Sequence, residues 1–166
     1  MDGVDAMLRS SPNLRVIHLL RDPRGVARSR SLMGGSLMGL RASSDPLGVD
    51  PLVLEAVKYC RTAARDVRLR RELERQHPGR ILEVVYDAFV TDVERHVRTI
   101  HSFLGMTLEE ADAAMSKVKV EVPLDGLPNR QMEVNRWRRE MDFATRVKVR
   151  NVCREFYEAV ARLGRA

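Results

Sequence analysis

Arg15-Val16-Ile17-His18-Leu19-Leu20 runs straight into Arg21-Asp22-Pro23, and this junction constrains the fold more tightly than any other stretch of the chain. A short apolar run with two β-branched residues, bounded by Pro12-Asn13 and Asp22-Pro23, predicts a buried strand of a parallel sheet. A helix is expected immediately afterwards. Asp22 suits the N-cap, and Pro23 fits the first helical turn, where its missing N–H is not needed.

The remaining pattern predicts an α/β chain. The first helix runs through Val26, Ser29 and Met33 until Gly34-Gly35 weakens it, and residues 34–50 read as a loop. Asp50-Pro51 repeats the cap-plus-proline start, and Val53, Val57, Cys60, Ala64 and Val67 then form one apolar stripe on a long helix ending near His77-Pro78-Gly79. Ile81 to Tyr86 is the second strand, followed by a loop and a helix with Val93, Val97, Ile100 and Leu104 on one face before Gly105. Thr107 and Glu110 have capping-box spacing and open another short helix. After a loop around Pro123 and Pro128, a last helix from about Asp142 carries Val152, Phe156, Val160 and Leu163 inward and stops at Gly164. Two strands make a thin sheet, so part of the fold is expected to be missing.

Composition narrows the classes. With 166 residues, 44% of them hydrophobic, and only 7 Pro and 10 Gly, the chain can bury a core as one domain or one piece of a larger domain. No stretch approaches the roughly 18 apolar residues of a membrane span, and the acidic start is not a secretory signal. The net charge of +6 comes from 25 Arg and 4 Lys against 23 acidic residues. Arginine's planar fork suits phosphate, sulfate and carboxylate, although a compositional bias with solvated charged faces gives the same count. Cys60 and Cys153 form no metal-ligand cluster, so no metal is expected. One Trp and 5% aromatic residues, with no recognised binding motif, argue against a nucleic-acid partner.

The strand-helix junction places a cation, Arg21, at the carboxyl end of a strand and a hydroxyl, Ser29, two turns into the helix. Asp22 and Ser29 are seven residues apart, about 700° of helical rotation, so Ser29 can face the same side as Arg21. Open α/β sheets bind ligands beyond the carboxyl ends of their strands, where helix N-termini offer free N–H groups to anions. Arg21 and Ser29 can form a phosphate clamp. Equally, Arg21 can pair with Asp22 or another carboxylate while Ser29 bonds back to its own helix.

Residues 14–30, LRVIHLLRDPRGVARSR, resemble the 3′-phosphate-binding strand-loop-helix of sulfotransferases. The Arg-Asp-Pro-Arg form resembles the Golgi carbohydrate sulfotransferases acting on galactose, N-acetylglucosamine or N-acetylgalactosamine. The resemblance continues through Val84-Val85-Tyr86-Asp87, through Phe103-Leu104-Gly105, and through Trp137-Arg138, Cys153 and Leu163-Gly164. It implies that Arg21 and Ser29 hold the 3′-phosphate of 3′-phosphoadenosine 5′-phosphosulfate (PAPS), with Tyr86 on the adenine side. There are departures: Tyr86-Asp87-Ala88-Phe89 replaces the family's Tyr-Glu-Asp-Leu, and Arg130, a further phosphate candidate, lies at an unfamiliar spacing from Trp137.

The resemblance further implies a partial P-loop-like sulfotransferase fold, with residues 1–166 forming the C-terminal part of one domain and the motif at 14–33. The N-terminal P-loop strand is expected to be missing, because no Gly/Ser-rich loop after a strand precedes Arg21. The implied activity is sulfate transfer to a glycan acceptor, in the Golgi lumen, by a protein whose membrane anchor lies outside this chain; the chain alone is expected to be inactive. The alternative is a nonenzymatic nucleotide- or polyanion-binding module. No catalytic base is assigned: His18 reads as a sheet residue, and His77, His96 and His101 as surface residues. Arg61, Arg65 and Arg68 form a basic face, either solvated or glycan-binding. Cys60 and Cys153 can be bridged in an oxidising lumen or remain two buried thiols.

Overall fold

The computed structural model describes residues 3–38, 50–121 and 134–161. Its elements are α1 (Val4–Ser10), β1 (Val16–Leu20), α2 (Pro23–Met38), α3 (Pro51–Gln76), β2 (Ile81–Val85), α4 (Tyr86–Thr91), α5 (Val93–Leu104), α6 (Leu108–Glu121), α7 (Trp137–Glu140), α8 (Phe143–Val152) and α9 (Arg154–Ala161). The chain divides into two compact units, one built from Asp2–Leu20 and Leu73–Val134, the other from Arg21–Glu72 and Asn135–Ala166. The expected loop around Pro123 and Pro128, the candidate Arg130 and the Leu163-Gly164 terminus lie outside the described residues.

In the first unit β1 and β2 pair in parallel, with Val16 opposite Ile81 and Leu20 opposite Val85, so the chain is α/β as expected. Arg80 fixes the register by gathering carbonyls that a short connection leaves over. Its guanidinium donates to the carbonyls of Leu14 at 3.0 and 2.9 Å and of Leu8 at 2.8 Å, and also to that of Ser11. The expected burial of β1 holds only in part. Leu20 is buried, but Ile17 and Leu19, which share the opposite face of the strand, are 41% and 58% exposed, because that face is left largely uncovered among the described residues. His18 sits in the sheet opposite Glu83 and is half-buried.

Helices α4 and α5 pack against β2, and α6 packs against α5. The expected loop after β2 is absent: Tyr86 opens α4 directly, and Asp92 both ends α4 and caps α5 by accepting from the Arg95 N–H. The Thr107–Glu110 capping box forms in both directions, at 2.7 and 3.2 Å. Val97 is buried as the stripe requires, whereas Leu104 is 41% exposed at the helix end. His77 is not a surface residue: its ring, 12% exposed, bonds Asp5 at 2.8 Å. His96 and His101 bond carbonyls of their own helix.

The second unit is built on α3. Asp50 caps it by accepting the Leu52 N–H at 2.9 Å, and Ala56, Cys60, Ala63, Ala64 and Val67 form its buried stripe. Small residues along that stripe let neighbouring helices approach closely. Helix α2 continues through Gly34-Gly35 to Met38, past its expected end, since propagating an existing helix gains a hydrogen bond per residue. The C-terminal helix is interrupted at Cys153 between α8 and α9, yet one buried stripe at helical spacing runs through Thr145, Val149, Cys153, Phe156 and Ala159, one residue away from the expected Val152. Val149, Cys153 and Phe156 are buried while Val152 is 44% exposed. A disulfide between Cys60 and Cys153, with Cα atoms 5.3 Å apart, ties this break to α3 and decides between the bridge and two free thiols. Arg28 of α2 pairs with Glu140 of α7, which Arg136 also engages.

Two outcomes follow. Because the disulfide spans 93 residues, chain-entropy arguments assign it about 4.6 kcal/mol, and Cys60→Ser/Cys153→Ser should lower urea-unfolding stability by that order. Arg28 first, and then Arg136, holds the Glu140 carboxyl below its usual 4.5. A depressed carboxyl contributes stability above its unfolded pKa and loses it as pH falls through the folded value. Glu140→Gln should therefore lower the melting temperature at pH 7, and the gap to the parent should close below about pH 4.5.

Candidate functional site

Arg21 follows β1 directly and stands one residue before the cap of α2. Its backbone is held from α3: the Tyr59 hydroxyl accepts the Arg21 N–H at 3.2 Å and donates to the Arg21 carbonyl at 3.1 Å. One hydroxyl can serve as both donor and acceptor, so Tyr59 satisfies both backbone groups of the corner residue. Tyr59 in turn packs its ring against Phe156 at 5.7 Å.

Asp22 completes the corner. Its carboxylate accepts the Arg24 N–H at 2.8 Å, which caps α2, and takes the Arg24 guanidinium through Nε at 2.9 Å and Nη2 at 2.5 Å. The Tyr157 hydroxyl donates to the same carboxylate at 3.4 Å. Burial first, and the negative charge of Asp22 second, push the Tyr157 phenol well above its ordinary range, so it remains a donor at neutral pH. Held in this way, the Arg24 guanidinium lies 3.8 Å above the ring of Trp137.

Gly25 explains how the Arg21 side chain fits. A Cβ at this position would lie 3.3 Å from Arg21 Nε and 3.6 Å from Trp137 Cδ1, so guanidinium and indole close over the bare first turn of α2. Ser29 is one turn beyond Gly25, on the same helix face. The first turn of α2 holds no acidic residue. Among the described residues the Ser29 hydroxyl does not bond back to its helix, unlike Ser31, which donates to the Arg28 carbonyl at 2.9 Å. Cation, hydroxyl and helix N-terminus therefore share one face, an arrangement that can hold a phosphate.

The third expected site residue, Tyr86, belongs to the other compact unit, where it is half-buried as the first residue of α4. Arg61, Arg65 and Arg68 are exposed, and Arg68 pairs with Glu155 at 2.7 Å, as a solvated face would. A cleft of about 250 Å³ beside the disulfide is lined by residues including Arg61, Asn151 and Arg154, but by neither Arg21 nor Ser29. No metal-holding group of His, Cys, Asp and Glu occurs among the described residues. Tyr59, Tyr157 and the Arg24–Trp137 stack are site features that local spacing does not expose, although Tyr59 lies beside the α3 stripe and Trp137 is the sole tryptophan.

The chain is 27% identical to human carbohydrate sulfotransferase 5 over 158 residues, covering 85% of this chain and 38% of that protein. It is 28% identical to human carbohydrate sulfotransferase 3 over 152 residues, covering 85% of this chain and 32% of that protein. The chain thus spans about a third of the length of these curated relatives. No solved structure matches it significantly. A family model described as the sulfotransferase family matches residues 1–110, well over half of the sequence and including the whole Arg21–Ser29 segment, and the chain belongs to that family.

Proposed function

We propose that this chain forms part of a carbohydrate sulfotransferase that uses PAPS as sulfate donor and a glycan hydroxyl as acceptor, and that Arg21 and Ser29 bind the donor's 3′-phosphate. The observation that carries the reading is the Arg21 guanidinium lying over Gly25, with Ser29 one turn further along the same face of α2. A phosphate there meets a fixed cation, a hydroxyl donor and the free N–H groups of a helix start, the donor set that phosphate recognition needs. Tyr86 is proposed for the adenine side by resemblance to the family's strand-end motif.

The donor supplies an activated sulfuryl group: the acceptor oxygen attacks sulfur in line, the bridging S–O bond breaks, and the electron pair leaves with the nucleotide phosphate. Arg21 and Ser29 anchor the far side of the nucleotide, so their contribution is orientation of the reacting end. Tyr59 and Asp22 hold Arg21 and the α2 start in place and spare that ordering cost on binding. The groups that cradle the sulfuryl end and take the acceptor proton are not assigned to any described residue. A Golgi-lumenal setting is proposed with the activity, and the Cys60–Cys153 bridge suits an oxidising compartment. No helix among the described residues is long and apolar enough to cross a membrane.

Isothermal calorimetry tests the clamp. Adenosine 3′,5′-bisphosphate should bind the parent, Arg21→Ala should weaken it about ten- to a hundredfold, and Ser29→Ala should weaken it less. Adenosine 5′-phosphate, lacking the 3′-phosphate, should be indifferent to both changes. Parental affinity for the bisphosphate in Arg21→Ala would sink the assignment.

A further inference from the structure

Trp137 carries a buried donor that the fold leaves unused. The residue is 3% exposed, and among the described residues its indole Nε1–H has no hydrogen-bond acceptor. Both cations near its ring sit where they cannot help: Arg24 lies 3.8 Å from the ring centroid and Arg138 5.0 Å, and guanidinium groups accept nothing. A buried N–H without an acceptor costs free energy, and native interiors rarely tolerate one unless a ligand or water completes it.

The direction of that edge is informative. Cδ1, the carbon bonded to Nε1, approaches the Cβ position of Gly25 to 3.6 Å, and Arg21 Nε approaches the same point to 3.3 Å. The pyrrole edge of the indole and the Arg21 guanidinium therefore converge over the first turn of α2, on the face that carries Ser29. A buried indole N–H with no acceptor among the described residues, set beside a guanidinium and a helix start, marks the place of one. Resting on the nucleotide reading above, we infer that Trp137 is a third ligand of the 3′-phosphate, donating its indole N–H to a phosphate oxygen beside Arg21. Asp22 serves this contact at one remove, because the Arg24 guanidinium it holds packs on the indole face and fixes the ring's tilt.

Trp137 is the protein's one tryptophan, so its ¹⁵N-labelled indole gives a single resonance that needs no substitution to observe. Titration with adenosine 3′,5′-bisphosphate should move the indole proton downfield, and adenosine 5′-phosphate should not. Trp137→Phe keeps an aromatic ring for Arg24 while removing the N–H and the pyrrole edge that carries it; it should weaken bisphosphate binding about tenfold and leave adenosine 5′-phosphate binding unchanged. An unmoved indole proton, or parental affinity in a folded Trp137→Phe protein, overturns the inference while Arg21 dependence persists. Should that variant fail to melt cooperatively, the indole shift in the parent decides alone. Bisphosphate binding that ignores Arg21→Ala overturns the underlying nucleotide reading as well.

Discussion

The candidate site depends on the Asp22 carboxylate at the end of β1, which serves several groups at once. It caps α2 through the Arg24 N–H, takes two guanidinium contacts from the same residue, and accepts the Tyr157 hydroxyl. The Asp22 and Arg24 side chains are only 18% and 23% exposed, so desolvation offsets much of their attraction. Such a pair is poor evidence for stability and better evidence for position. Removing either partner takes the bidentate contact from a charge that is largely buried, which favours one geometry even where the net gain is small. That geometry sets Arg24 on Trp137, places Trp137 beside Gly25, and so shapes the surface over which Arg21 lies.

The arginine excess therefore has a structural use that net charge conceals. Arg24 needs a planar fork to meet Asp22 at two nitrogens and a flat face to stack on an indole, and lysine offers neither. Arg80 needs several directed donors to reach the carbonyls of Leu8, Ser11 and Leu14 together. Arg28 reaches from α2 to Glu140 on the element that carries Trp137. In these cases the cation is consumed in positioning backbone and rings. What distinguishes Arg21 is its place, at a strand end, over a helix start without acidic residues, beside a hydroxyl on the same face.

Features encoded within a few residues could be read from the sequence. The Asp22-Pro23 and Asp50-Pro51 starts, the reciprocal Thr107–Glu110 cap and the α3 stripe all depend on neighbours less than two turns away. The Arg21–Ser29 relation was legible for the same reason. What could not be read was long-range. His77 is drawn inward by Asp5, 72 residues earlier, and Trp137 becomes part of the site through a glycine over a hundred residues away. The last helix shows the difference most directly: local periodicity allows a stripe through Val152 or through its neighbour Cys153, and the distant partner Cys60 marks Cys153, with Val149 and Phe156, as the buried side.

The same reasoning accounts for β1. Val16, Ile17, His18, Leu19 and Leu20 form an almost uninterrupted apolar run of the kind found in strands covered on both faces. Among the described residues one face is covered, where Leu20 is buried, and the other, carrying Ile17 and Leu19, remains substantially exposed. Full burial of a side chain of this size is worth about 1.5–3 kcal/mol, so the run encodes more burial than this two-stranded sheet provides. Periodicity therefore reports how much apolar surface a strand brings, whereas the neighbouring elements decide how much of it is removed from water. Arg21 is better placed than the strand before it, because its position is fixed by Tyr59 and by the capped start of α2, neither of which requires the outer side of β1 to be covered.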